Sequence, residues 1–285
     1  MLGRPNVGKS TLVNALCGEK VTIVSKRPQT TRRSHRGVWH QEDAQIVFLD
    51  TPGIHKPVTA LGERLNSHAQ VAVDDADVVC FLLDATQPAG RGDEFVLDKI
   101  AAKANAAKAN AIGPTAIAPN IMGIVTKCDL VKPAIVVKQL AALSEYNLSD
   151  YVAVSALTGD GLDTLRDLLI QLLPVGPKYF PPDIVRDLKW EDWVAELVRE
   201  QLLPTLREEL PHSVATRAEL DDERRMRCDI LVERPSQRPI VIGHGGKNLK
   251  AVREAVLPHL PEDTELTLRV KVDKHWQSRP ERFGC

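Results

Sequence analysis

A glycine-rich motif near the start of the chain constrains its fold more than any other feature. Residues 3–10 read GRPNVGKS and match the pattern G-x-x-x-x-G-K-[S/T]. Backbone N–H groups of such a turn surround phosphates, and the following helix adds the positive end of its dipole. Lys9 is expected to reach the β- and γ-phosphates, and the Ser10 hydroxyl to ligate magnesium. The predicted contacts are Gly3, Arg4, Pro5, Asn6, Val7, Gly8, Lys9, Ser10 and Thr11.

The position of this motif departs from its usual context. A phosphate-binding loop normally follows a strand, but here only Met1 and Leu2 precede Gly3. We therefore expect the first strand of the sheet to be missing. This implies that translation starts upstream, that the chain is truncated, or that the nucleotide site is badly weakened, and we favour the upstream start. An ordinary glycine-rich turn before a helix remains the alternative interpretation of the motif itself.

Length and composition favour two globular domains. The chain has 285 residues, of which 43% are apolar, and no apolar run approaches the roughly 18 residues of a membrane helix. Five scattered cysteines form no CxxC pair, which favours free thiols in a reducing cytosol. The sequence PVGPKYFPP at 174–182 interrupts any helix, so we expect a first domain over 1–175 and a second over 176–285.

Short apolar runs alternate with helical patterns in the first domain. Strands are predicted at 46–49, 78–83, 121–125 and 151–154, and helices at 10–17 and 161–173. Such alternation indicates an α/β domain with a mostly parallel sheet and helices on both faces. The alanine-rich segment 101–120 begins with two copies of AAKAN, and it is predicted to be an expanded surface loop or a helix extension.

Three further motifs each follow a predicted strand. Asp50 can hold a magnesium-linked water, and Gly53 can offer its N–H to a γ-phosphate. Asp129 can accept both N–H groups of the guanine edge, which adenine lacks, and Ser155-Ala156 can offer a backbone N–H to the guanine oxygen. Because parallel sheets bind ligands at the carboxyl ends of their strands, these motifs predict one nucleotide site. Its further members are Asp50, Thr51, Pro52, Gly53, Thr126, Lys127, Asp129, Ser155 and Ala156.

This set of motifs resembles that of the small GTPases. The segments GRPNVGKST, RPQTTRR (27–33) and DTPGIHKP (50–57) look like those of the TrmE-Era-type GTPase family, bacterial proteins of ribosome assembly, and the similarity covers nearly the whole chain. It implies a P-loop GTPase that binds GTP or GDP with Mg²⁺. It also implies that Thr31 ligates magnesium beside Ser10 and Asp50, with Thr30 the runner-up. The residues expected to act in slow hydrolysis are Lys9, Thr31 and Gly53.

Two positions depart from common GTPase patterns. The guanine motif usually begins with Asn, but Thr126 stands there, and guanine selectivity is expected to survive through Asp129. Ile54 occupies the place where Ras-type enzymes have a water-orienting Gln, a feature shared by the family, so no side chain is an obvious base. Asn6 resembles the asparagine that coordinates K⁺ in related GTPases, where the ion offsets developing charge. The alternative for Asn6 is a plain turn residue.

The second domain carries a GxxG loop in a basic region. Residues 224–253 contain eight Lys or Arg against two acidic residues, and a predicted helix over 247–256 follows the loop. Further elements are predicted at 190–203, 228–232 and 266–272. A GxxG loop is the KH-domain device that clamps a nucleic-acid backbone, although a plain turn is the alternative. LRVKVDKHW (268–276) also resembles the end of the family's KH domain. The predicted RNA contacts are Gly243, His244, Gly245, Gly246, Lys247 and Lys250.

The expected function combines both domains. We expect a GTP-driven switch with a small α+β KH-type RNA-binding domain. The resemblance implies that it binds the 3′ end of small-subunit (16S) ribosomal RNA during assembly of the small ribosomal subunit. It further implies a cytoplasmic monomer that visits the cytoplasmic face of the membrane, although no amphipathic basic helix argues for that visit. The rivals are a KH module with a non-functional nucleotide site and an ATP-using P-loop enzyme.

Overall fold

The computed structural model describes most of the chain in two units. It describes residues 1–27, 30–55, 60–109, 120–146, 148–207, 210–221, 225–274 and 276. The first unit comprises Met1–Thr22 with Thr31–Asp187, and the second comprises Ile23–Thr30 with Leu188–Cys285. The division therefore follows Asp187, not residue 175, and a short segment from the first half of the chain belongs to the second unit.

The first unit is built on a parallel sheet of order β1-β4-β5-β6. The central strands are buried along nearly their whole length, as their continuous apolar runs predict. The strands of this unit are β1 (Leu2–Gly3), β2 (His35–His40), β3 (Gln45–Asp50), β4 (Val78–Asp84), β5 (Asn120–Thr126), β6 (Asp150–Ala153) and β7 (Arg186–Asp187). Its helices are α1 (Lys9–Cys17), α2 (Ala60–Asp74), α3 (Arg91–Ala109), α4 (Pro133–Ser144) and α5 (Leu162–Leu172).

A first strand is present, which corrects the expectation that it is missing. Strand β1 has two residues and runs parallel to β4, with Leu2 opposite Phe81 and Gly3 opposite Leu82. Leu2 is only 2% exposed and lies in the core beside Phe81. The phosphate-binding loop is therefore anchored to the sheet by a strand much shorter than the neighbouring β4.

Strand β3 lies outside the parallel sheet, contrary to the expectation for 46–49. It pairs antiparallel with β2, which pairs antiparallel with β7. The residues of β3 alternate between buried and half-buried, a pattern typical of a strand with one covered face. The carboxyl end of β3 nevertheless delivers Asp50 to the nucleotide site.

The alanine-rich segment continues a helix. Helix α3 runs through the first copy of AAKAN and into the second as far as Ala109, so the helix-extension interpretation holds for this part. Residues 110–119 lie outside the described residues. Among the described residues, no helix is both long enough and apolar enough to span a membrane.

The second unit is a small α+β domain around a sheet of order β10-β9-β8. Strands β9 and β10 are parallel, and β8 is antiparallel to β9. Helix α6 packs its apolar face on this sheet, where Trp193 and Val194 are buried. The elements are α6 (Trp190–Leu202), β8 (Val214–Leu220), β9 (Met226–Val232), α7 (Arg238–Ile242), α8 (Lys247–Val256) and β10 (Leu266–Val272). The predicted strands at 228–232 and 266–272 and the helices at 190–203 and 247–256 lie in these elements.

Candidate functional site

The loop between β1 and α1 has the backbone of an anion-binding turn. Asn6 and Gly8 both adopt left-handed conformations, with φ of 63° and 103°. Gly8 is the N-cap of α1, so the free N–H groups of the first helical turn lie at the end of the loop. Alternation of right- and left-handed residues turns successive N–H groups towards one point, which creates a concavity that suits phosphate.

Lys9 lies inside this loop. Its side chain is 6% exposed, and Nζ donates to the carbonyl oxygens of Gly3 at 3.2 Å and Arg4 at 2.9 Å. Burial lowers the pKa of Lys9 to about 8, while the nearby Asp50 carboxylate opposes that shift. A phosphate group in the concavity would supply the negative charge that this buried ammonium group needs.

The three residues predicted to hold magnesium meet at one point. Ser10 Oγ donates to Asp50 Oδ2 at 2.7 Å and lies 3.0 Å from Thr31 Oγ1. Thr31 Oγ1 also lies 3.4 Å from Asp50 Oδ2. The runner-up Thr30 instead donates to the Arg27 carbonyl at 2.8 Å and belongs to the second unit. The geometry therefore favours Thr31 over Thr30 as the candidate magnesium ligand.

The donor set at this point fits a hard divalent cation. Asp50 is fully buried, and its Oδ1 atom has no hydrogen-bond partner within the described part of the chain. A buried carboxylate oxygen without a donor is costly unless a cation balances it. Carboxylate and hydroxyl oxygens are ligands that Mg²⁺ accepts, together with phosphate oxygens. Ser10, Thr31 and Asp50 are therefore the residues that could hold the ion.

Thr22 is a member of this cluster that no sequence motif indicated. Its side chain is 1% exposed, and Oγ1 donates to Asp50 Oδ2 at 2.9 Å. The Asn14 side chain fixes Thr22 in place, because it accepts the Thr22 N–H and donates to the Thr22 carbonyl, both at 2.9 Å. Thr22 lies outside every motif in the sequence, so only the fold brings it to Asp50.

The segment after Asp50 packs directly on the phosphate-binding loop. A Cβ atom at Gly53 would lie 2.7 Å from both the Cα and the N atom of Pro5, so this position requires glycine. The Ile54 N–H donates to the Gly3 carbonyl at 3.1 Å, and the Ile54 side chain is buried. Thr51 and Pro52 are buried beside them. Gly53 therefore lies against the loop that would hold the phosphates, and Ile54 presents no polar group there.

Asp129 is oriented by Ser155 at the predicted guanine end of the site. Ser155 Oγ donates to Asp129 Oδ1 at 2.6 Å, which fixes the direction of an otherwise exposed carboxylate. The Ser155 N–H donates to the Asp160 carbonyl at 2.9 Å. Of the two N–H groups predicted to meet the guanine oxygen, that of Ala156 is therefore the candidate.

Thr126 and Lys127 contact the phosphate-binding loop itself. Thr126 Oγ1 donates to the Val7 carbonyl at 2.7 Å, and Lys127 Nζ donates to the Asn6 carbonyl at 2.8 Å. Lys127 also pairs with Asp84 at the end of β4, at 2.5 Å. Burial would raise the pKa of the Asp84 carboxyl, but hydrogen bonds from Lys127 and a neighbouring threonine lower it. No sequence motif indicated Asp84. It helps to orient Lys127, which is hydrogen-bonded to the phosphate-binding loop.

The GxxG loop of the second unit joins two helices, α7 and α8. Gly243, Gly245 and Gly246 all have positive φ, and a Cβ atom at Gly243 would lie 2.8 Å from the Cβ of Asn248. Asn248, which the GxxG pattern does not include, closes the turn by donating to the Val241 carbonyl at 2.8 Å. The exposed polar side chains around the loop are His244, Lys247, Lys250 and Arg238. This arrangement suits close approach of a phosphate backbone.

The fold and both sites define a P-loop GTPase with a C-terminal KH domain. The model of the family described as 50S ribosome-binding GTPase matches residues 1–112, and the KH domain model matches residues 206–277. GTPase Era of Corynebacterium diphtheriae is 42% identical over 99% of this chain and 93% of its own length. The chain belongs to the Era family of GTPases, and it is accordingly a GTP-hydrolysing enzyme.

Further members of the family are similar to this chain in sequence and in structure. GTPase Era of Mycolicibacterium smegmatis is 42% identical and covers 99% of this chain and 95% of its own. The crystal structure of a single-residue variant of Aquifex aeolicus Era bound to GDP·AlF4⁻ aligns with a TM-score of 0.85 and 34% identity, covering 98% of this chain and 94% of that one. A second structure, of Era with MgGDPNP and nucleotides 1506–1542 of 16S ribosomal RNA, aligns with a TM-score of 0.83 over the same shares. The expected fold class is confirmed.

Proposed function

We propose that this chain is a GTP-dependent switch that binds the 3′ end of small-subunit ribosomal RNA and acts in assembly of the small ribosomal subunit. The observation that carries the proposal is the cluster of Ser10, Thr31 and Asp50, because it joins the phosphate-binding loop to the segment that would sense a γ-phosphate. The relative solved with MgGDPNP and 16S ribosomal RNA supports the choice of RNA. The assembled site argues against a KH module with a non-functional nucleotide site.

Magnesium would be held by Ser10, Thr31 and Asp50, and it would supply positive charge beside the phosphates. Lys9 would bind and orient the phosphates from within the loop, and the Gly53 N–H would orient the terminal phosphate. Ile54 would help to exclude water from the apolar side of the site. No side chain beside the phosphates is an evident base for hydrolysis. We therefore also propose that Asn6 coordinates K⁺, which would add positive charge to offset the charge that develops during hydrolysis. Family resemblance alone supports this ion.

Guanine would be selected by Asp129 and by the Ala156 N–H. The orientation of Asp129 by Ser155 supports this assignment, because a carboxylate held in one direction can accept two parallel N–H groups at low entropic cost. An adenine base presents no such pair of donors at this edge, which argues against an ATP-using enzyme.

RNA would be clamped by the GxxG loop, with Lys247 and Lys250 close to its phosphates. Ordering of Thr31 by GTP and magnesium would change the RNA affinity of the KH domain, and hydrolysis would reverse that change. The proposal also includes a cytoplasmic monomer with transient contact to the cytoplasmic face of the membrane. Family resemblance supports these last two points.

The test is RNA binding in two nucleotide states. A labelled RNA with the sequence of the small-subunit 3′ end should bind the GDPNP complex at least about fivefold more tightly than the GDP complex, the low end of ordinary allosteric coupling. Gly245→Asp, which places a carboxylate in the loop, should weaken binding about tenfold or more in both states. Gly176→Asp adds the same charge at an open position and serves as the matched control. Equal RNA affinity with GDPNP and GDP would contradict the switch.

A further inference from the structure

The chain reverses direction at the end of α1 and returns along that helix. Gly18 ends α1 with a φ of 74°, a left-handed conformation that glycine adopts without the steric cost of a Cβ atom. Val21 is 1% exposed and lies in the same core cluster as Val13 of α1. The next residue, Thr22, is therefore held beside the helix that follows the phosphate-binding loop.

Asn14 fixes the backbone of this returning segment. It lies one turn after Ser10 in α1, so the two side chains project from the same face of the helix. Asn14 Oδ1 accepts the N–H groups of Val21 and Thr22, both at 2.9 Å, and Asn14 Nδ2 donates to the Thr22 carbonyl at 2.9 Å. Because one side-chain amide makes all of these bonds, Thr22 has little freedom to move relative to α1.

The Thr22 hydroxyl binds one particular oxygen of Asp50. Thr22 Oγ1 donates to Asp50 Oδ2 at 2.9 Å, and the burial of Thr22 keeps water from competing for this bond. Ser10 Oγ donates to the same oxygen at 2.7 Å. Both hydroxyl groups therefore meet Oδ2, whereas the buried Oδ1 has no hydrogen-bond partner among the residues that the structure describes.

This asymmetry determines which way the carboxylate faces. The last torsion of an aspartate side chain is broad and roughly two-fold, so its two oxygens exchange places easily unless neighbours distinguish them. Ser10 is itself a candidate magnesium ligand, and its bond to Asp50 is exposed to any change at the cation. The Thr22 hydroxyl can hold Oδ2 independently of Ser10, which leaves Oδ1 available to the cation.

We infer that Thr22 is a positioning residue for the magnesium site, because its hydroxyl orients the Asp50 carboxylate and Asn14 fixes Thr22. This inference rests on the proposed role of Asp50 in holding magnesium. Groups that orient a metal-binding carboxylate commonly contribute about tenfold or more to metal affinity. Without the Thr22 hydroxyl, Asp50 gains rotational freedom, and ordering it at the cation costs more entropy.

The test measures the ratio of fluorescent GDPNP affinities in saturating Mg²⁺ and in EDTA. The free nucleotide chelates Mg²⁺ equally in every titration, so differences in this ratio between variants report the metal affinity of the complex. Thr22→Val keeps the branched shape and removes the hydroxyl, and it should lower the ratio about tenfold while the affinity in EDTA changes less than about twofold. Thr22→Ser keeps the hydroxyl and should retain the wild-type ratio. Thr164→Val removes an exposed hydroxyl of α5 and is the matched control.

A second variant guards against misfolding of the first. Asn14→Ala leaves the Thr22 hydroxyl and every proposed magnesium ligand in place but removes the support of Thr22, so it should lower the ratio in the same direction. An unchanged ratio in either Thr22→Val or Asn14→Ala, or a ratio in Thr22→Ser as low as in Thr22→Val, would overturn the inference and leave the proposed site intact. A wild-type affinity that does not respond to Mg²⁺ would instead contradict the proposed magnesium site, and the inference with it.

Discussion

Asp129→Asn should weaken GDP binding by about 100-fold or more and create binding of xanthosine diphosphate. The carboxylate accepts the ring N–H and the amino group of guanine, and each such charged bond is worth about 1.5–3 kcal/mol. Asparagine presents one acceptor and one donor, which matches xanthine, where a carbonyl replaces the amino group. Competition of fluorescent GDP by GDP and by xanthosine diphosphate measures both changes.

The control for this substitution is Asp163→Asn, an exposed carboxylate in the first turn of α5 that pairs with Arg166. Asp163→Asn should leave the affinities for GDP and for xanthosine diphosphate unchanged. Because Ser155 Oγ donates to Asp129 Oδ1 at 2.6 Å, an asparagine can keep the same position through its own oxygen. Unchanged guanine binding in Asp129→Asn would show that the base does not lie at the end of β5.

Lys9→Met should lower GDP affinity by about 100-fold or more and should also remove a pH dependence of binding. In the free protein burial lowers the pKa of Lys9 to about 8. Phosphates favour the charged form and raise the Lys9 pKa in the complex, so binding above pH 8 takes up a proton. Wild-type affinity should therefore fall as the pH rises above about 8, by at most about tenfold per unit.

The measurement is a fluorescent GDP titration of wild type, Lys9→Met and Lys138→Met at about pH 7 and about pH 8.7, on either side of the Lys9 pKa and below the pH at which guanine loses its ring N–H. Lys138 is exposed on α4, so its replacement should leave the pH dependence as in the wild type. Lys9→Met should bind weakly at both pH values with little difference between them. A wild-type affinity that does not change between the two pH values would mean that Lys9 keeps its proton in the free protein.

The sequence predicted the parts of the site that depend on local spacing. The glycines of the phosphate-binding loop and the polar residues after β3, β5 and β6 are positioned by a turn or by the end of a strand, and such positions can be recognised from neighbouring residues. The cluster of Ser10, Thr31 and Asp50 also followed from the family resemblance. The structure brings these three side chains together, while their role at magnesium and all other site assignments stay predictions.

The remaining features depend on tertiary structure. Thr22 and Asp84 have no motif of their own, and each reaches the site only because separate elements pack together. A two-residue strand such as β1 is too short to carry a pattern, and its pairing with β4 supplies the hydrogen bonds that define it. Ile23 lies in the core of the second unit, and this position is likewise set by packing. The sequence around an apolar residue in a polar loop does not indicate which residues it will pack against.

The most direct test of the central claim is displacement of fluorescent GDP from the wild-type chain, with Mg²⁺ and K⁺ present, by GTP and by ATP. A guanine-nucleotide site predicts displacement by GTP at near-stoichiometric concentrations and none by ATP at concentrations about 100-fold higher, since the adenine edge leaves the Asp129 carboxylate without its donors. Equal displacement by ATP would contradict the guanine assignment, and a lack of any GDP binding would contradict the nucleotide site itself.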